Sequence, residues 1–296
     1  MAQLGVYCPR GTISWAECLG SCAHNPLRPC DYTADMLNMM RRDYEDEDAE
    51  PGVESFTPTR LLGCARQPVI MGESDYYVDV EQAYPATRGN MVHALMEKSV
   101  YPGVLTTVRE HRYSATIMTK YGPQPFSGKA DLVVVKSVRD GVISVKVIDY
   151  KTTNDIGHDM TEAKMNHQLQ INMYAWLVAQ ELPELLDLPT YRVEVEELEI
   201  IYVSIKKKRR FTSAGELRRR GKRLTVKPLT YETITLKALP LWKLEWTGRY
   251  IRSKIEERMD AEVRLPDILE GDDAWLCNYC PIFDVCHQIG NVDVAV

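Results

Sequence analysis

Apolar residues alternate with polar ones through "GVLTTVREHRYSATIM", "GKADLVVVKSV" and "GVISVKVIDYK", between residues 103 and 151. That two-residue period predicts three strands, and the "RDG" at 139–141 predicts a tight hairpin turn between the last two. A further alternating run, "RVEVEELEIIYVSIK", predicts a strand after residue 191. Helical spacing appears in three places. "RGNMVHALMEKSV" puts His93 and Glu97 on one face, and "TEAKMNHQLQINMYAWLVAQEL" aligns His167, Gln170, Tyr174 and Leu177 in one stripe. "LPLWKLEWTGRYIRSKIEERMDAEV" predicts the third helix. Strands and helices mix without a regular strand–helix repeat, which favours an α/β fold with a central mixed sheet flanked by helices.

A chain of 296 residues with 45% hydrophobic and 26% charged content has the balance of an ordinary globular protein. No apolar run is long enough to span a bilayer, and "MAQLGVYCPR" lacks the apolar core of a signal peptide. A cytoplasmic protein is expected. There, eight cysteines suggest metal ligation more than disulfides. Charge is distributed unevenly. Residues 43–54 begin with the acidic "DYEDEDAE" and are expected to be a linker between a cysteine-rich N-terminal module, 1–42, and one large domain, 55–296. By contrast, "KKKRRFTSAGELRRRGKRLTVK", 206–227, carries eleven Lys or Arg and one acid. It is either a solvated face or a surface for backbone phosphates, with Lys206, Lys207, Lys208, Arg209, Arg210, Arg218, Arg219, Arg220, Lys222 and Arg223 as the contacts.

The chemistry-bearing stretch is "VIDYKTT". In a strand, Asp149 and Lys151 project to one side about 6–7 Å apart, with Tyr150 on the other. Asp131 opens the neighbouring strand in "FSGKAD". Two carboxylates brought together across adjacent strands repel, and a hard divalent cation relieves that repulsion. The ordered set "GKAD", "DYK" and "QINMY" resembles the RecB-like branch of the PD-(D/E)XK nuclease superfamily, although Ala130 stands where the motif's name has proline. The resemblance implies a restriction-endonuclease-like core. It assigns Asp131, Asp149 and Lys151 to catalysis, and Gln170 and Tyr174 to the branch's QxxxY helix motif. It places Mg²⁺ or Mn²⁺ on His93, Asp131, Asp149 and the main-chain carbonyl of Tyr150. Some relatives carry another acid on the preceding strand, where Glu110 stands; its other reading is an exposed strand glutamate.

"CNYCPIFDVC" holds Cys277, Cys280 and Cys286, and Cys64 lies more than two hundred residues earlier. One early cysteine and a late triplet resemble the iron–sulfur subgroup of that family, which includes CRISPR-associated RecB-like exonucleases and the AddB nuclease domain. The subgroup implies a four-iron four-sulfur cluster clasping the two ends of the domain. Cys8, Cys18, Cys22 and Cys30 follow no standard finger spacing and could bind Zn²⁺, with His24 as a substitute ligand, or remain free thiols.

The expected activity is Mg²⁺- or Mn²⁺-dependent hydrolysis of phosphodiester bonds in DNA, by an exonuclease acting on ends or single strands. The alternatives are a catalytically silent DNA-binding adaptor of a recombination, repair or mobile-element system, and an iron–sulfur electron carrier. DNA is the expected partner and no membrane is. Protein partners and oligomerisation are left open.

Overall fold

The computed structural model describes residues 3–8, 11–25, 30, 32–45, 55–73, 76–97, 104–153, 161–204, 233–238, 244–263, 266–267, 277, 280 and 286–287. In chain order these form β1 (Gln3–Cys8), β2 (Gly11–Ser14), α1 (Trp15–Glu17), a π-helical turn Cys18–Cys22, α2 (Ala34–Glu45), α3 (Pro58–Leu62), α4 (Arg66–Glu73), β3 (Tyr76–Asp79) and α5 (Val80–Glu97). The second half holds β4 (Thr106–Thr119), β5 (Gly122–Arg139), β6 (Val142–Thr153), α6 (Met165–Leu185), β7 (Arg192–Ser204), β8 (Thr233–Lys237) and α7 (Leu244–Val263). No helix among the described residues is long and apolar enough to cross a membrane.

The main sheet has five strands in the order β4-β5-β6-β7-β8. Its neighbours pair antiparallel except β6 and β7, which are parallel. This is the mixed sheet flanked by helices that the alternating pattern predicts. The "RDG" hairpin is present: Asp140 and Gly141 have φ of 52° and 73°, positive values that the twist-matched two-residue turn demands at both central positions. The parallel β6–β7 pair needs a crossover, and α6 provides it.

Burial explains the composition of each strand. On β5, residues 130–135, "ADLVVV", are buried without interruption because helices cover both faces of this central strand. Val133, Val135, Val145 and Val147 pack under α6 and α7 with Ile171, Leu177, Val178, Ile251 and Ile255. Leu132, Val134, Ile148 and Tyr150 form the opposite face, against Met96 of α5. Each aliphatic side chain so buried contributes about 1.5–3 kcal/mol. The same parity sends Asp149 and Lys151 towards α6, whereas on β5 the alternation breaks at Asp131, since Phe126, Gly128 and Ala130 before it also lie on the α6 side.

A smaller sheet of three strands, ordered β2-β1-β3, carries a second core of Val6, Leu37, Met40, Val78 and Val80. β1 and β2 approach so closely at Gly5 that a Cβ there would lie 2.0 Å from the carbonyl oxygen of Ile13. β1 pairs in parallel with β3, so this sheet takes one strand from each side of the acidic run at 43–50. β3 runs directly into α5, the helix that bears His93.

Candidate active site

Strand register brings the acids together. Leu132 stands opposite Ile148, which leaves Asp131 and Asp149 one residue beyond that rung on their two strands. On the other side, Arg109 pairs with Leu132 and His111 with Ala130, which sets Glu110 across from Asp131. Glu110 has φ of 46°, a conformation that costs a non-glycine residue energy and that concentrates at functional sites. α5 adds His93. Its Nδ1 lies 3.2 Å from Asp131 Oδ1 and 3.8 Å from Glu110 Oε1. Ligand atoms of His93, Glu110 and Asp131 all fall within 4.8 Å of one another.

The other Asp131 oxygen, Oδ2, accepts the backbone N–H of Tyr150 at 2.6 Å, which fixes the carboxylate against β6. Tyr150 also presents its ring edge-on to His93. Asp149 is 1% exposed. Burial raises its pKa to about 6; the Lys151 ammonium opposes that rise, and the charge of Asp131 adds to it. Lys151 Nζ donates to Asp149 Oδ1 at 3.1 Å and lies 2.8 Å from Oδ2. The shorter approach to Oδ2 lacks hydrogen-bond geometry, so that oxygen has no hydrogen-bond partner among the described residues. Burial pulls the lysine down, but Asp149, Tyr174 and Asp131 outweigh it and hold the ammonium above the ordinary lysine range. The pair is therefore ionic: the carboxylate that burial disfavours faces a cation that stays charged. His93 is held protonated up to about pH 10, first by its contact with Asp131 and then by Glu110.

α6 supplies the remaining groups. Gln170 Nε2 donates to Tyr174 Oη at 2.8 Å and to Thr59 Oγ1 at 3.2 Å, so it ties the tyrosine to the first turn of α3. Tyr174 can lie close over β5 because residue 128 is glycine. A Cβ there would sit 2.9 Å from Tyr174 Cε1 and 2.9 Å from Leu177 Cδ1. His167, which the sequence places only on a helix stripe, stands beside this group. Tyr202 Oη accepts the Lys164 N–H at 3.1 Å and shares a hydrogen bond of 2.7 Å with His167 Nδ1. Burial, Lys151 and Lys164 push His167 down to about 3 and keep it neutral. At the far end of α6, Glu181 bonds His111 Nε2 at 3.0 Å and Ser114, locking the helix to β4.

A groove of about 1080 Å³ opens from Glu110 between β4, β5 and α3. Arg60, Arg112 and Lys129 line it with the hydroxyls of Thr57, Thr59, Ser114 and Thr116, and Tyr174 lies along it. Glu110 is the single acid among its lining residues, and Lys129 Nζ sits 3.1 Å from that carboxylate. Its volume slightly exceeds the roughly 300–1,000 Å³ typical of small-molecule sites.

None of the eight cysteines is in a disulfide among the described residues. Cys277 is pushed up by burial and by the thiols of Cys64 and Cys286. Arg66 Nε donates to Cys286 Sγ at 3.1 Å, and the Cys280 N–H bonds the Cys277 carbonyl at 3.2 Å. Cys277 and Cys286 therefore lie beside Cys64 and Arg66. The basic residues between Lys206 and Arg223 lie outside the described residues.

A family model described as the PD-(D/E)XK nuclease superfamily matches residues 101–287, more than half of the chain. No curated protein matches. Among solved structures, that of a protein called SSO0001 aligns at 18% identity with a TM-score of 0.48, over 84% of this chain and 94% of that one.

Proposed function

Because this chain belongs to the PD-(D/E)XK nuclease superfamily, we propose that it is a RecB-like, divalent-metal-dependent deoxyribonuclease that threads single-stranded ends along the groove and cuts at its Glu110 end. The observation that carries this reading is the convergence of Asp131, Glu110 and His93 with the buried Asp149–Lys151 pair.

The residues fit a hard divalent cation. Asp149 Oδ2 is buried with no hydrogen bond among the described residues, and acids from three strands lie together at buried or half-buried positions. Asp131, Asp149, Glu110 and the Tyr150 carbonyl would hold Mg²⁺ or Mn²⁺, and His93 would join them once the cation has displaced its proton. The ion, when bound, makes a water ligand more acidic and offsets charge on the phosphate. The chain's own groups do the rest. The Lys151 ammonium, fixed by Asp149, faces the charge that grows on the attacked phosphate. Gln170 holds the Tyr174 hydroxyl and thereby braces the wall beside Lys151. Arg112 and Lys129 pair across β4 and β5 and offer cations to consecutive backbone phosphates without reading bases. The segment 206–227 would extend that track.

Cys64, Cys277, Cys280 and Cys286 would hold the four-iron four-sulfur cluster. Support comes from the thiols that act on Cys277 and from the Arg66 guanidinium donating to Cys286. The cluster would supply a covalent clasp between chain ends.

End-labelled single-stranded DNA is expected to be cut with Mg²⁺ or Mn²⁺ and left whole with a chelator. Arg112→Ala and Lys129→Ala are expected to weaken binding alike for all sequences, each flattening the log–log salt dependence by about 0.7. No cutting of single-stranded, duplex or flapped DNA with either metal would instead assign a binding or adaptor role.

A further inference from the structure

The N-terminal cysteines play no part in the chemistry above, yet the fold gathers them. Cys8 ends β1, Cys18 and Cys22 lie four apart in the π-helical turn, and Cys30 comes eight residues after Cys22. Cys18 and Cys22 are buried, and Cys8 and Cys30 pack half-buried against the same core as Val6, Leu37 and Val78. All four thus border one small core. A buried cysteine often serves as a small apolar filler. That role would account for Cys18 and Cys22, but not for two half-buried thiols packed against the same core.

A second observation comes from Trp15 in the same core. Its indole N–H is buried with no hydrogen-bond partner among the described residues, whereas such groups ordinarily find one. A metal-bound thiolate is an acceptor of the kind it lacks.

We propose that Cys8, Cys18, Cys22 and Cys30 form a four-thiolate site for a structural zinc ion, closing the N-terminal hairpin onto the helical turn that follows it. The three-residue gap between Cys18 and Cys22 lies within the two to four residues usual between paired zinc ligands. Four soft sulfur donors also select zinc over the hard cations suited to the acidic site. Among the described residues, His93, Glu110 and Asp131 are the group whose ligand atoms all lie within 4.8 Å of one another. The thiols must therefore shed protons and draw inward on loading. The consequence reaches further than the module. β1 holds β3, β3 continues into α5, and the Tyr32 and Tyr84 rings meet at 5.3 Å between the loop before α2 and α5. Zinc thereby steadies the root of the helix that presents His93.

The test is elemental analysis of the full chain expressed with zinc and purified without chelator. About one zinc per chain is expected, and none in Cys18→Ser/Cys22→Ser, with the absorption of any iron centre unchanged. Zinc retained by the double variant, no zinc in the parent, or an iron absorption lost with the two cysteines would overturn the assignment. Should the variant not fold, iodoacetamide labelling of the parent decides. Cys8, Cys18, Cys22 and Cys30 should be protected until a zinc chelator is added; equal labelling with and without chelator rejects the site.

Discussion

Replacing Asp149 with asparagine is expected to lower metal-dependent DNA cleavage by about a thousandfold or more while the protein remains folded. The magnitude follows from what the carboxylate does twice. It supplies a buried anionic oxygen to the cation, and it holds Lys151 in place through contacts of 2.8 and 3.1 Å. Loss of one preorganised electrostatic group commonly costs about 10²–10³ in rate; loss of a metal ligand together with the anchor of the lysine costs more. The fold survives because the amide has the same shape and its oxygen still accepts from Lys151. Burial already disfavours the Asp149 charge, so neutralising it relieves repulsion with Asp131. Circular dichroism and a thermal midpoint near that of the parent establish folding. A steady-state cleavage assay gives the loss, and activity within tenfold of the parent would remove Asp149 from the site.

Arg258→Met is expected to lower stability by about 3 kcal/mol without touching the acids. Arg258 lies on α7, nearly buried, and its guanidinium donates to the carbonyls of Arg60, Gly63 and Cys64, the last stretch of α3 and the loop after it. Helix C-termini leave carbonyls without intrahelical donors, and here one planar fork serves three of them. Hydrogen bonds to charged groups contribute about 1.5–3 kcal/mol each, and an apolar replacement leaves the buried acceptors unsatisfied. Lysine cannot reproduce the fork, so Arg258→Lys should recover only part of the loss. Denaturant melts with an unchanged slope and a lowered midpoint would bear this out; a shift worth less than about 0.5 kcal/mol would contradict it. The same variant loosens the loop that carries Cys64 and should weaken any cluster there.

The three long strands, the hairpin turn and the crossover helix could be read from the sequence because each states its period over ten residues or more. β8 could not: "TITLK" is five residues long, follows a basic run, and finds its place only by pairing with β7. The small sheet was hidden for a related reason. β1 and β3 are separated by almost seventy residues, and neither is long enough to announce a partner. Within the site, Asp131, Asp149 and Lys151 were visible as charges on otherwise buried strands. Glu110 was not distinguishable from an exposed strand glutamate, since its role depends on register with Asp131 and on a left-handed backbone that no composition reveals. His167 likewise needed Tyr202 and Lys164 to define its state. The groove is a property of how α3 lies against β4 and β5, which no local pattern encodes.

The account depends on acids from neighbouring strands sharing one cation. Calorimetric titration of Mn²⁺ into the parent and into Asp131→Asn addresses this without requiring the right DNA substrate. Asparagine keeps an oxygen for the Tyr150 N–H but removes the charge between His93 and Asp149. Saturable uptake by the parent, weakened at least tenfold in the variant, is the predicted result; no uptake by the parent, or equal affinity in both, would contradict it.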